Sequence, residues 1–134
     1  MSSTIQLSAH ERVTIVSAGP EALVVEAEYD PGGRRPPAHR HTDQDERFEV
    51  LAGVMAVETP DGERRYGAGE TFQIPRGAAH RMANGGDEPA RVRWETRPAL
   101  RTESFWRAIS AARTPLGAAV ALVRFRREFR LARL

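Results

Sequence analysis

The sequence predicts an all-β barrel or sandwich with helices at its C-terminal end, and three observations carry that prediction. From Arg12 to Thr96 the chain runs in short segments where apolar and polar residues alternate, the period of a strand with one buried face. Glycine, proline and asparagine interrupt these segments at close intervals, as turns between strands require. Beyond Pro98 the apolar residues change to a spacing of three and four, the period of an amphipathic helix.

Taken in order, strands are expected at Arg12–Ser17, Ala22–Tyr29, Arg47–Leu51, Val54–Thr59, Glu63–Tyr66, Thr71–Ile74, His80–Ala83 and Ala90–Thr96. The breaks between them include Ala18-Gly19-Pro20, Asp30-Pro31-Gly32-Gly33, Pro60-Asp61-Gly62, Gly67-Ala68-Gly69 and Asn84-Gly85-Gly86-Asp87. Each supplies a residue that turns the chain without steric cost. Gly33, Gly53, Gly69 and Gly77 sit where tight turns favour positive φ, Pro75 ends a strand, and Asn84 is expected to bond within its own turn. Thr102 is placed to cap a helix carrying Phe105, Trp106, Ile109 and Ala112 on one face. Thr114 is placed to cap the next, and Pro115 suits its first turn, where a missing N–H costs nothing. Ala118, Leu122, Phe125, Phe129 and Ala132 then fall on one stripe with arginines opposite, so one helix is expected to run through this segment.

A chain of 134 residues is long enough for one hydrophobic core. We divide it into a β domain, residues 1–100, and a helical extension, residues 101–134, packed on the barrel or at a dimer interface. There is no cysteine, which removes disulfides and thiolate chemistry, and all 20 basic residues are arginine, which removes Schiff-base chemistry on lysine. No serine lies in a Gly-x-Ser-x-Gly turn. Net charge is +2 overall, but residues 105–134 carry +6 and the rest −4. No basic surface interleaved with aromatics points to nucleic acid. The residues after Met1, SSTIQLSAHERV, lack a basic stretch followed by an apolar run, so a cytoplasmic location is expected.

The chemistry concentrates in the stretch PAHRHTDQDERFEVLAG, Pro37 to Gly53. On an extended strand His39 and His41 leave from one face while Arg40 leaves from the other. Asp45 and Glu46 follow, and entry into the next strand can bring one carboxylate back toward the imidazoles. His80 opens a later strand. Three imidazoles and a carboxylate suit iron, manganese, nickel, copper or zinc better than calcium or magnesium, which take all-oxygen shells.

The spacing around these residues is more specific. Gly33, five residues, His39, one, His41, four, Glu46, six, Gly53 forms one motif, and Gly69, five, Pro75, one, Gly77, two, His80, three, Asn84 forms another. These residues resemble both motifs of the cupin superfamily at every fixed position, over about Ala22 to Thr96. The resemblance implies a double-stranded β-helix, or jelly-roll barrel, holding one divalent transition metal per chain through His39, His41, Glu46 and His80.

With the ligands taken as inward, strand parity makes Tyr29, Phe48, Met55, Phe72, Met82 and Trp94 the expected substrate-pocket walls. Tyr29 and Thr96 are the only other polar groups expected inside, while Arg34, Arg35 and Gln44 are placed at the mouth to meet an anionic substrate. The expected function is a metal-dependent, dioxygenase-like enzyme acting on a small organic molecule. An isomerase or decarboxylase is the alternative within that class, and a non-catalytic ligand-binding or sensory module the alternative outside it. A homodimer is the expected assembly. Leu116–Val123 is too short to cross a bilayer, which takes about 20 apolar residues. Contact of the basic C-terminal helix with an anionic membrane surface is the lesser expectation.

Overall fold

Alternation decides which face of each strand is buried. Along β10 (Ala90–Arg97) the residues Ala90, Val92, Trp94 and Thr96 are buried and Arg91, Arg93 and Arg97 are exposed. Along β5 (Asp45–Ala52) Glu46, Phe48 and Val50 are buried while Asp45, Arg47 and Glu49 are exposed. The computed structural model describes residues 3–33 and 35–134.

The remaining strands are β1 (Thr4–Gln6), β2 (Glu11–Ala18), β3 (Leu23–Tyr29), β4 (His39–Arg40), β6 (Val54–Thr59), β7 (Gly62–Gly67), β8 (Thr71–Ile74), β9 (Arg81–Asn84) and β11 (Arg130–Leu131), with helices α1 (Thr102–Ala111) and α2 (Pro115–Arg124). One sheet has six strands in the order β1-β2-β3-β10-β5-β8, a second has three in the order β7-β6-β9, and β11 pairs with β4. All pairings between strands are antiparallel. Residues of both main sheets share one core, with Val13, Val25, Phe48, Val50, Met55 and Val92 at its driest points. This is the jelly-roll expected from the sequence.

The eight expected strands are all present, and β6 and β8 match to the residue. Three short strands, β1, β4 and β11, go beyond that expectation. They are two or three residues long, too short for alternation to register, and exist because a neighbouring strand satisfies their backbone groups.

The glycine positions divide by cause. Gly53 has φ +75°, and a side chain there would meet backbone atoms of Pro89 and Ala90 at 2.8 Å. Gly33 does not take positive φ, contrary to expectation; a Cβ there would lie 2.8 Å from that of His10, so close approach is what excludes other residues. Asn84 donates to the carbonyls of Tyr29 and Glu88 and accepts from the Gly86 N–H, as expected of a turn residue.

At the C-terminal end the capping expectations differ in outcome. Thr114 caps α2, its hydroxyl accepting from the Gly117 N–H at 3.0 Å, with Pro115 in the first turn. Thr102 is not a cap: it is the first residue of α1, is buried, and its hydroxyl accepts from Gln44 Nε2 at 2.8 Å. Nor does α2 run on to Ala132. It stops at Arg124, Phe125 turns into the core with 1% exposure, and the chain then adds β11 beside β4. Burial of Phe125 and a partnered strand outweigh the helical period.

Candidate metal centre

Three histidines reach one place because of two pairings. His39 and His80 face each other in an antiparallel bridge, each backbone N–H bonding the other's carbonyl at 3.0 and 2.9 Å. Directly opposed residues project to the same side of a sheet. His41, two residues after His39, returns to that side, and its carbonyl is held by the Gly77 N–H at 2.8 Å. One nitrogen from each of these histidines lies within 4.8 Å of the others.

Their ring orientations follow from the opposite nitrogens. Nδ1 of His39 lies 3.1 Å from the Pro37 carbonyl, that of His80 3.0 Å from the Ala78 carbonyl and that of His41 2.6 Å from the Glu128 carbonyl. A carbonyl only accepts, so each Nδ1 carries the proton and each neutral ring leaves a lone pair on Nε2. Glu46 enters from β5, between Thr96 of β10 and Ile74 of β8. Trp94 Nε1 donates to its Oε2 at 2.8 Å, which turns Oε1 to 3.2 Å from Nε2 of both His41 and His80.

Without a cation this arrangement is repulsive, because imidazole lone pairs face a carboxylate in a buried place. Nε2 of His41 and Oε1 of Glu46 have no hydrogen-bond partner despite complete burial. A transition ion at about 2.1 Å from each ligand places neighbouring ligand atoms roughly 3.0 to 3.4 Å apart, and the observed separations of 3.2 Å lie in that range. These carboxylate–imidazole separations, with the three histidine nitrogens gathered within 4.8 Å, fit a divalent transition metal. Protonating an imidazole is the other way to relieve this repulsion, and the titration behaviour reflects that competition with burial. Burial, helped by His80 and His41, pushes the His39 imidazole down to about 3. Burial also opposes charge on His41, but Glu46 and the Glu128 carbonyl outweigh it and raise its pKa. Glu46 is held well below the usual carboxylate range because attraction from His41 and His80 overcomes a large burial cost.

The histidines open onto a cavity of about 420 Å³. Of the expected walls, Tyr29, Phe48, Met82 and Trp94 line it. Met55 and Phe72 do not. Met55 is sealed in the core, and Phe72, on the same sheet face as Phe48, stacks between Phe48 and Tyr66, one strand beyond the cavity wall. Thr96 is buried without touching the cavity. Gln44 is buried outside the cavity lining and acts as a structural clamp, donating to the carbonyls of Pro98 and Ala99. Arg35 lines the cavity, but Glu58 and Glu63 already neutralise it. Arg34 lies outside the described residues.

Other residues of the cavity were not expected. Phe105 and Trp106 of α1, with Leu122 and Phe129 beyond, wall one side. Glu11 lines it too, opposite Tyr29 in the β2–β3 register. Burial, with Tyr29 pulling back and Glu46 adding, pushes the Glu11 carboxyl up to about 7. The signal was present: Val13 points inward, so Glu11 on the same strand does as well.

Among curated protein sequences nothing matches this chain. Solved structures do. KdgF from Halomonas sp. superimposes with a TM-score of 0.68 at 21% identity, covering 75% of this chain and 91% of that one. An RmlC-like cupin from Shewanella frigidimarina gives 0.66 at 16%, covering 76% and 88%. A cupin-superfamily sugar phosphate isomerase from Silicibacter pomeroyi gives 0.60 at 21%, covering 66% of this chain and 59% of that one. At such identities the likeness shows the fold alone. The sequence model of the Cupin domain family, however, matches residues 25–94, more than half of the chain, and the protein belongs to that family.

Proposed function

We propose that the protein is a metal-dependent enzyme, dioxygenase-like, acting on a small and largely apolar organic molecule. One observation carries the reading: three Nδ1-anchored imidazoles present their Nε2 lone pairs at the wall of a cavity of about 420 Å³. That volume suits a small-molecule site. Its aromatic walls, Phe48, Trp94, Phe105 and Trp106, favour a flat or apolar substrate. A sugar phosphate, the substrate class named for one structural neighbour, finds no unpaired arginine there among the described residues, since Arg35 is already paired.

His39, His41 and His80, with Glu46, would hold one divalent transition ion, for which iron, manganese, nickel, copper and zinc remain the options. Bound there, such an ion supplies Lewis-acid polarisation and, if redox-active, dioxygen chemistry. The chain's own residues do the rest. Trp94 fixes the Glu46 carboxylate, and the aromatic walls exclude bulk water. Isomerisation or decarboxylation is the second reading, favoured specifically by Glu11 and Tyr29, which place a proton-accepting carboxyl in the cavity.

The test is oxygen uptake by iron(II)-loaded protein over a panel of small aromatic and 1,3-dicarbonyl compounds. Uptake that disappears in His41→Ala, with an unchanged circular dichroism spectrum, is the expected result; the apolar core, at about 1.5–3 kcal/mol per buried side chain, keeps that variant folded. Product without oxygen uptake supports the second reading. No turnover alongside ligand-dependent thermal stabilisation supports a non-catalytic binding module.

A further inference from the structure

We propose that the chain's final segment, residues 125–132, is a working part of the metal centre: it aims His41, covers His39, and is itself held in place when metal binds. The inference rests on the metal-binding reading above.

The three Nδ1 acceptors differ in where they come from. Those of His39 and His80 lie two residues away in sequence, so local backbone orients those rings. The acceptor for His41 is the carbonyl of Glu128, 87 residues away, and at 2.6 Å it makes the shortest of these three contacts. Take the segment away and Nδ1 of His41 loses its partner, leaving nothing to keep Nε2 directed at the other two histidines. Groups that orient a ligand from outside the coordination sphere typically change metal affinity by about 10- to 100-fold.

The same segment covers a second ligand. Phe129 stacks on His39 with ring centres 4.5 Å apart and planes 23° apart, and approaches His41 edge-on at 6.0 Å. It is backed by Phe105 of α1 at 5.0 Å. Four further contacts fasten the segment around this point. Arg130 and Leu131 pair with Arg40 and His39. The Ala132 N–H bonds the Ala38 carbonyl at 2.9 Å. Arg127 lies 3.3 Å from the Asp43 carboxylate, and Phe125 is anchored in the core. The segment thus grips the chain on both sides of the His39–His41 pair, from Ala38 to Asp43.

A contact that favours metal binding must be favoured by metal in return. Glu128 and Phe129 are positioning residues: they act through His41 and His39.

Two measurements on the full-length protein test the linkage, with cobalt(II) and zinc(II) as the probes. In Phe129→Ala the cobalt(II) affinity should fall about 10-fold and the visible cobalt spectrum should shift, with Phe129→Tyr restoring both. In the wild type, zinc should slow tryptic cleavage after Arg126, Arg127 and Arg130 about 10-fold, while leaving cleavage after Arg113, outside the segment, unchanged. A purely structural role for Phe129 would alter neither the spectrum nor the zinc-dependent protection. An unchanged affinity and spectrum in Phe129→Ala, or cleavage indifferent to zinc, overturns the proposal. Failure of the wild type to bind either ion sinks the metal reading itself, and is distinguishable because no variant is then needed.

Discussion

Glu11 shows how a residue's environment, more than its type, sets its chemistry. On the surface its carboxyl would ionise near 4.5, but inside the cavity it does so near 7. Between those values the unfolded chain has released a proton that the folded chain still holds, so this group makes stability fall as pH rises through the window. The full effect is at most about 3 kcal/mol. His39 contributes oppositely, because its imidazole stays neutral when folded down to about 3 while the unfolded one charges below 6.5. The wild-type curve therefore mixes both. Subtracting the urea-unfolding stability of Glu11→Gln, measured in chelator from pH 4 to 8, isolates Glu11. The wild type should lose stability relative to the variant as pH rises from 4.5 to 7. A flat difference would mean that the carboxyl faces water.

At the scale of elements, the corner between β5 and β6, where the chain passes from one sheet to the other, shows why one glycine cannot be replaced. Its corner at Gly53 combines a left-handed backbone with backbone of the β10 entry at 2.8 Å from any added Cβ. Backbone atoms cannot rotate aside as a side-chain tip can. Gly53→Ala should cost at least about 2 kcal/mol. Gly19→Ala, where nothing lies within 4 Å of an added Cβ, should stay within about 0.5 kcal/mol of the wild type. Urea titration of the two variants checks the contrast, and equal stabilities would refute the steric account.

For the whole molecule, the outer face of α2 carries an exposed apolar row. Leu116, Val120 and Val123 are 74%, 58% and 65% exposed along one side of a helix that buries only Ala121. Among the described residues no helix is long and apolar enough to cross a membrane. Apolar rows of this kind are commonly covered by another surface, and we propose that a homodimer, if formed, would use this face. Sedimentation of the full-length chain should give a dimer, and Val120→Asp a monomer with unaltered metal stoichiometry. A monomeric wild type refutes the dimer, and co-sedimentation with anionic vesicles would assign the face to a membrane instead.

Much of this was legible in the sequence, and the reason is that alternation and turn chemistry are local. Eight strands, the inward phase of Glu46, Phe48 and Trp94, and the shared face of His39 and His41 all follow from a period of two and from where glycine and proline stand. Even two of the three imidazole orientations are local, since Pro37 and Ala78 lie two residues from the rings they turn. The tertiary structure alone decided the rest. Nothing in the run Phe125 to Ala132 announces that its helical period will be abandoned, because the competing gain is burial of Phe125 and a strand partner in β4. Nor does any spacing say that a carbonyl 87 residues away will orient His41. Sequence periodicity records which face of an element is buried; which distant backbone meets that face is set only when the chain closes on itself.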